Sequence, residues 1–215
     1  MGVASLGATK NYQAGSATNS MSVTKLTNAN CYVIHATNES SSGIYATSVK
    51  IGALDAIKLL GLTTPTNAGR NEVWIYLGSI PDGDSLATVN WSGSCTSVLA
   101  VSQFSGVNSY STGTSNTGSS GTESVSLTGL LINDGLIFDA HHNYNPYGVT
   151  PGSGQTELYE HYQTYQTCQG SIKTKSGSSE TMSNTMTSSN WSSIGFALYD
   201  VPPGRTLQVP AYMGL

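Results

Sequence analysis

Between Glu72 and Val107 apolar and polar residues alternate, and that period of two commits the stretch to β-structure. Its apolar runs are Val73–Leu77, Leu86–Trp91 and Val98–Phe104. Pro81-Asp82-Gly83-Asp84 separates the first pair and Ser92-Gly93-Ser94 the second. Asp-Gly between apolar runs supplies the positive φ of a tight hairpin turn. The pattern predicts a β-meander of three strands. It holds no nucleophile, no general base and no phosphate-binding loop.

The rest of the chain repeats the theme. Cys31–Thr37 reads as a strong strand, Ser40–Gly43 as a turn, and Ile44–Ile51 as a strand with Tyr45, Thr47, Val49 and Ile51 on its more apolar face. Ala56–Leu60 fits either a strand or one helical turn, and 62–71 reads as a loop. Asn108–Thr122 is Ser/Thr/Gly-rich and reads as a long surface loop. Glu123–Leu127, Leu136–Ala140, Thr156–Gln166, Ser171–Lys175, Thr181–Met186 and Trp191–Tyr199 complete the strand series. No run of ten residues carries a helical period. Short strands between turn-rich loops predict an all-β fold, a two-sheet antiparallel β-sandwich of jelly-roll type. Residues 21–201 form that domain. Residues 1–20 read as an N-terminal arm with a weak strand starting near Met21, and 202–215 as a C-terminal arm.

Composition narrows the function classes. Of 215 residues only 9% are charged, far below the usual quarter, while Ser and Thr supply about a quarter. A net charge of −4 with no Lys/Arg cluster speaks against nucleic acid as a partner. Lys173 and Lys175 are the densest basic pair and read as an exposed strand face. No segment has the length of a membrane-spanning helix, and no membrane partner is expected. The N-terminal residues lack a basic region followed by an apolar core, so no secretory leader is read there. Cys31, Cys95 and Cys168 are odd in number and show no CxxC spacing, which speaks against zinc or thioredoxin-type chemistry. They read as small buried hydrophobes, and one disulfide among them stays open.

Several blocks in order resemble a known type of sequence. Val73-Trp74-Ile75-Tyr76-Leu77, Pro81, Gly83, Ser92-Gly93 and Ala100-Val101-Ser102-Gln103-Phe104-Ser105-Gly106-Val107 are similar to the core pattern of a largely uncharacterised Ser/Thr/Gly-rich β-sandwich family. Ser48–Gly52, Leu136–Ala140, Pro151–Tyr159 and Trp191–Leu198 resemble further strands and turns of it. The resemblance covers residues 20–200. Such domains occur in virion proteins of tailed phages and other viruses of prokaryotes, and in secreted surface proteins of bacteria and archaea. It implies a fold and a setting, and brings no catalytic residues to carry over.

Candidate chemistry is sparse. Asp139 and His141 share one face of a strand, and a carboxylate with an imidazole could begin a metal site, with His161 as a third ligand. The competing reading is a hydrogen-bonded strand end, and no metal or cofactor is expected. Asp82 and Asp84 resemble a fragment of a calcium loop without its distal Glu, and a hairpin turn is the preferred reading. Glu157 and Glu160 have opposite strand parity and should point to opposite faces. No G-x-S-x-G elbow exists, and no enzymatic activity is expected. Tyr144, Tyr147, Tyr159, Tyr162 and Tyr165 cluster, with Tyr159 and Tyr165 on one face of one strand. Tyr144 and Tyr147 are candidate contacts for a glycan or a protein. In the C-terminal arm, Leu207, Val209, Tyr212, Met213 and Leu215 are apolar, which suits packing on a neighbour.

The expectation is a virion structural protein, whether capsid, decoration or tail-associated, of a prokaryotic virus. It would act by assembly with copies of itself or other virion proteins. The alternatives are a secreted cell-surface or filament-forming adhesion protein, located outside the cell, and a carbohydrate-binding module for surface glycans.

Overall fold

A computed structural model describes residues 2–40, 43–65, 69–131, 135–163 and 165–200. In chain order the strands are β1 (Ala4–Thr24), β2 (Cys31–Asn38), β3 (Ala46–Ile51), β4 (Leu54–Asp55), β5 (Ile57–Thr63), β6 (Arg70–Leu77), β7 (Asp84–Ser105) and β8 (Ser109–Tyr110). They continue as β9 (Thr114–Gly118), β10 (Thr122–Thr128), β11 (Gly135–Asn143), β12 (Thr150–Pro151), β13 (Gln155–Gln163), β14 (Gln166–Thr174), β15 (Ser179–Thr185) and β16 (Trp191–Tyr199). The fold is all-β and its strand pairs are antiparallel.

Three hydrogen-bonded sheets stand where the alternation predicts two. Sheet A runs β4-β3-β7-β2-β6-β5, with β1 on the other edge of β7. Sheet B runs β13-β14-β11-β16-β8, with β9 also on β16, and the small sheet C runs β10-β15-β12.

The meander expectation fails at both turns. β6 and β7 are not neighbours, because β2 lies between them. The Asp82-Gly83 turn survives, with Gly83 at φ 86°, but it leads into a crossover rather than a hairpin. The Ser92-Gly93-Ser94 signal is no turn at all. β7 runs straight through it, and β1 follows across the gap with register shifts between Gln13 and Ser16 and between Ser16 and Thr18. Glycine here marks a bend with close packing, since a Cβ on Gly93 would lie 3.3 Å from Ile44 Cδ1. Beyond the bend β7 changes partners, from β3 along 87–91 to β2 along 97–104.

Residues 4–20, expected within an arm, belong to β1, which pairs β7 from Ala4↔Ser105 to Thr24↔Asp84. Its side chains there are mostly small and polar and carry little apolar signal, so backbone pairing places it, reinforced by Leu6, Ala8 and Tyr12 packing on the apolar cores. Bulges undo other parity readings. One between Ala46 and Ser48 leaves Tyr45 exposed and Ala46 buried. Of Ala56–Leu60, Ile57–Leu60 resolve as strand, in β5, and the expected loop at 108–122 contains β8 and β9.

Among the described residues three apolar cores separate the layers. In the first, Tyr32, Ile34, Ala36, Trp74, Leu99 and Val101 meet Val49, Ile51, Ala87, Val89 and Trp91 of the same sheet. Sheet A therefore coils back over one of its own faces. The second lies between sheets A and B, where Val33, Val73, Ile75 and Phe104 meet Phe138, Cys168, Phe196 and Leu198. The third lies between sheets B and C, where Ile137, Ala197 and Tyr199 meet Val125, Leu127 and Met182. Strands β2, β11 and β16 are consequently buried on both faces along their whole length. That explains why adjacent positions such as Val33-Ile34 and Ile137-Phe138 are both apolar, a pattern of strands covered on both sides.

Candidate functional site

The residues able to do chemistry converge on two buried seams, one on each side of sheet B. β11 supplies both, because successive residues face opposite layers.

Asp139 and His141 point toward sheet C. Glu123 of β10 reaches down to them with Oε2 against His141 Nδ1. Asn184 of β15 donates from Nδ2 to Asp139 Oδ2 at 2.7 Å and to Glu123 Oε1 at 3.2 Å. Ser193 of β16 donates its hydroxyl to Asp139 Oδ1. All five residues are buried. Desolvation pushes the Asp139 carboxyl up to about 6, against the pull of its Ser193 and Asn184 bonds. Burial, reinforced by His142 and His35, holds His141 well below the ordinary imidazole value, so its ring is neutral where its Nδ1 abuts the Glu123 carboxyl.

His142 faces the other way, into the interface with sheet A, where His35 of β2 is the hub. Its Nδ1 lies 2.7 Å from the Tyr159 hydroxyl and 3.3 Å from Cys168 Sγ, and its Nε2 lies 2.7 Å from Asn71 Oδ1. Asn71 Nδ2 then donates to the carbonyls of Ala140 and Ser192 at 2.9 and 3.0 Å, tying sheet A to two strands of sheet B. Burial lowers His35 to about 4 and His142 to about 3. Tyr159 can lie flat in this layer because it sits over Gly170, where a Cβ would come within 2.4 Å of its ring.

The expected site residues fall as follows. Asp139 and His141 do share a face, but His161 stands apart, stacked on Tyr12 at the rim with ring centroids 5.9 Å apart. Among the described residues no group of three or more His, Cys, Asp or Glu is arranged to hold a metal ion. Asp82 is held by Lys25 at 2.8 Å and Asp84 by the Thr24 hydroxyl at 2.5 Å. Lys173 pairs with Glu180 at 3.0 Å, and Lys175 caps the Gly177 carbonyl at 3.1 Å, so neither presents a basic face. The three cysteines are buried and free, and burial pushes each thiol up to about 12.

Two parity readings are corrected by one bulge and one turn. A register shift between Glu157 and Tyr159 puts Glu157 opposite Ser171 and Glu160 opposite Gln169, so the two carboxylates share a face. Burial and the neighbouring Glu160 both raise the Glu157 carboxyl. Glu160 Oε1 accepts from the Val149 amide at 2.6 Å. The expected strand 156–166 breaks into the β13–β14 hairpin, so Tyr165 sits at its tip rather than beside Tyr159. Tyr144 is half-buried, while Tyr147 is 39%, Tyr162 58% and Tyr165 56% exposed. The Thr167 hydroxyl donates to the Tyr147 carbonyl at 2.8 Å, and Thr167 pairs with Tyr162, so these aromatics line one rim of sheet B. Leu207, Val209, Tyr212, Met213 and Leu215 lie outside the described residues.

Sequence reasoning missed Glu123, Asn184, Ser193, His35 and Asn71. For Glu123 a signal existed, since it shares parity with the core residues Val125 and Leu127. Asn184 likewise shares parity with Met182. Comparison with protein-family models, curated proteins and solved structures finds no match to this chain.

Proposed function

We propose that this protein is a structural component of a virion of a prokaryotic virus and works by assembly with copies of itself or other virion proteins. The observation that carries the reading is the run of apolar residues after the last described strand. Among the described residues the apolar cores reach Tyr199 of β16, which lies inside sheet B between β11 and β8. Leu207, Val209, Tyr212, Met213 and Leu215 come after that strand, and their apolar surface suits a neighbouring molecule. The low charge and the resemblance of residues 20–200 to virion domains support the setting. In this reading sheets A and B, facing across their shared core, are the β-sandwich of jelly-roll type, and sheet C and the coiled half of sheet A are laid outside it.

Removing Pro202–Leu215 tests the proposal. Mass photometry and sedimentation should find assembled full-length protein and a folded, monomeric truncated chain. An unchanged oligomer after truncation overturns it. The same experiment serves the alternative of a filament-forming surface protein, which a cleaved leader in the full gene would favour.

A carbohydrate-binding role is favoured by one observation, the exposed rim of Tyr147, Tyr162 and Tyr165. Glycan binding that disappears in Tyr147→Ala would support it.

A further inference from the structure

We propose that the outer edge of β1, along Ala8–Gln13, is the acceptor for the C-terminal segment of a second copy, which adds to sheet A as an extra antiparallel strand. This rests on the assembly reading above and names the surface the tail would meet.

Among the described residues β7 is the only strand that β1 pairs with, so one edge of a 21-residue strand is left open. Natural edges of that length are blunted by prolines, by charges or by shortness. β1 contains no proline and no acid, and its one charged residue is Lys10. That ammonium donates to the Glu160 carbonyl of β13. The register with β7 is unbroken from Gly7↔Gln103 to Gln13↔Ser97, and Ala8–Gln13 lies within this regular run between irregularities. Past the bend the edge is less available, since Asn11 Nδ2 donates to the Ser20 carbonyl at 2.9 Å. Ala8 and Tyr12, alternate residues of the open run, are partly buried against the second core and continue its apolar face to the edge.

The tail has the matching chemistry. Leu207 and Val209 alternate with Thr206 and Gln208, and Pro210 ends the run. Strand addition uses the backbone for affinity and alternate side chains for fit. Leu207 and Val209 would lie beside Ala8 and Tyr12.

The direction of the chain selects a second copy. Asn108 Nδ2 donates to the Asp200 carbonyl at 2.7 Å, so the tail leaves at the Ser105–Asn108 end of β7, where β1 begins with Ala4↔Ser105. From there the direct path of a chain's own tail along β1 is parallel, the less stable pairing. A tail from another molecule can enter at the Gln13 end and pair antiparallel. Each copy would give one strand and receive one, a head-to-tail contact that closes into rings or extends into filaments.

The test uses the full chain, the chain lacking Pro202–Leu215, and a synthetic peptide of those fourteen residues. Adding the peptide to the truncated monomer should slow amide exchange at alternate residues of Ala8–Gln13 by tenfold or more. In the full chain, Ala8→Pro and Thr9→Pro remove N–H groups that point to opposite edges. The variant that keeps the parental melting temperature should lose assembly. If truncation abolishes assembly but that variant still assembles and the peptide leaves β1 exchange unchanged, the edge proposal is overturned while assembly through the tail stands. Unchanged assembly after truncation overturns both. Protection of Ala8–Gln13 in a monomeric full-length chain means the tail covers its own edge and overturns the second-copy assignment.

Discussion

Val125 of β10 packs directly on the bare backbone of Gly195 in β16. A Cβ at 195 would meet Val125 Cγ1 at 2.9 Å and Leu127 Cδ1 at 3.0 Å. Sheet C lies this close to sheet B only because position 195 has no side chain. Gly195→Val should overpack the third core and cost about 1–3 kcal/mol. Urea unfolding checks the size, and faster amide exchange in β10 and β15 than elsewhere would place the damage in sheet C. A variant as stable as the parent would show that sheet C is free to shift.

Acid should unfold the protein well above the usual carboxylate range. An unfolded histidine takes up a proton below about pH 6.5. Folded His35 resists until about 4 and His142 until about 3, and His141 is held well below its ordinary value. Each depressed imidazole contributes stability that is present above pH 6.5 and lost as pH falls. Asp139 acts oppositely: its carboxyl, raised to about 6, holds a proton in the folded state that the unfolded chain releases above about 3.8. The depressed histidines outnumber the raised Asp139, so the unfolded chain binds more protons near pH 5 and stability should fall as pH drops below about 6.5. Denaturant melts at pH 7, 6, 5 and 4 measure it, and a flat profile would contradict the buried, neutral histidines.

Tyr159→Phe deletes the hydroxyl 2.7 Å from His35 Nδ1 and leaves that nitrogen with only the Cys168 thiol. The expected loss is about 1–2 kcal/mol, the cost of a buried polar group deprived of its better partner. Gly170→Ala should do more by a different route, lifting the Tyr159 ring out of its seat. Unfolding curves for both, with the histidine ring resonances followed by NMR, separate a lost bond from a displaced ring.

Asn184→Leu removes the amide that bridges Asp139 and Glu123. Two buried carboxylates then lose a shared donor, and the loss should reach about 3 kcal/mol or more at pH 7. It should shrink as pH falls through 6, because protonation relieves Asp139. A loss independent of pH would mean that the bridge carries no charge-dependent load.

The cysteines should be silent to a thiol reagent in the folded state. Cys31, Cys95 and Cys168 are buried, with thiols pushed up to about 12, so almost no thiolate exists at pH 8. Mixing with a chromogenic disulfide should give no colour until denaturant is added, and then three equivalents.

Most strands were legible because alternation survives where one face of a strand meets solvent. β10 and β15 show it in strictly alternating burial. Reading failed where a strand is covered twice or carries an extra residue. β11 and β16 have no wet face, so their apolar runs say strand without saying how many layers surround it. The bulges at Ala46/Ser48 and Glu157/Tyr159 each break strict alternation, which takes Tyr45 off the face of Val49 and Ile51 and brings Glu157 and Glu160 onto one face. β1 escaped notice because Ala4–Ser20 is mostly small and polar, with Leu6 and Tyr12 as isolated large apolar or aromatic residues. The polar seams were half visible. Asp139 and His141 announced a shared face, whereas Asn71 and Ser193 are ordinary residues until the layers bring them together.

The strands buried on both faces face a hazard that half-exposed strands avoid. A strand with one wet face betrays misalignment at once, because its polar residues end up inside. β11 could slide two places between β14 and β16 and still present apolar groups to both neighbouring layers. Such a slide would carry Asp139 into the position of Ile137, among Leu127, Met182 and Ala197, far from Asn184 and Ser193. An unpaired carboxylate there would cost several kcal/mol, while the correct alignment leaves every oxygen of Asp139 bonded. The seams thus act as keyed teeth: they add little to the strength of the native state and set a steep penalty on its nearest misthreaded rivals.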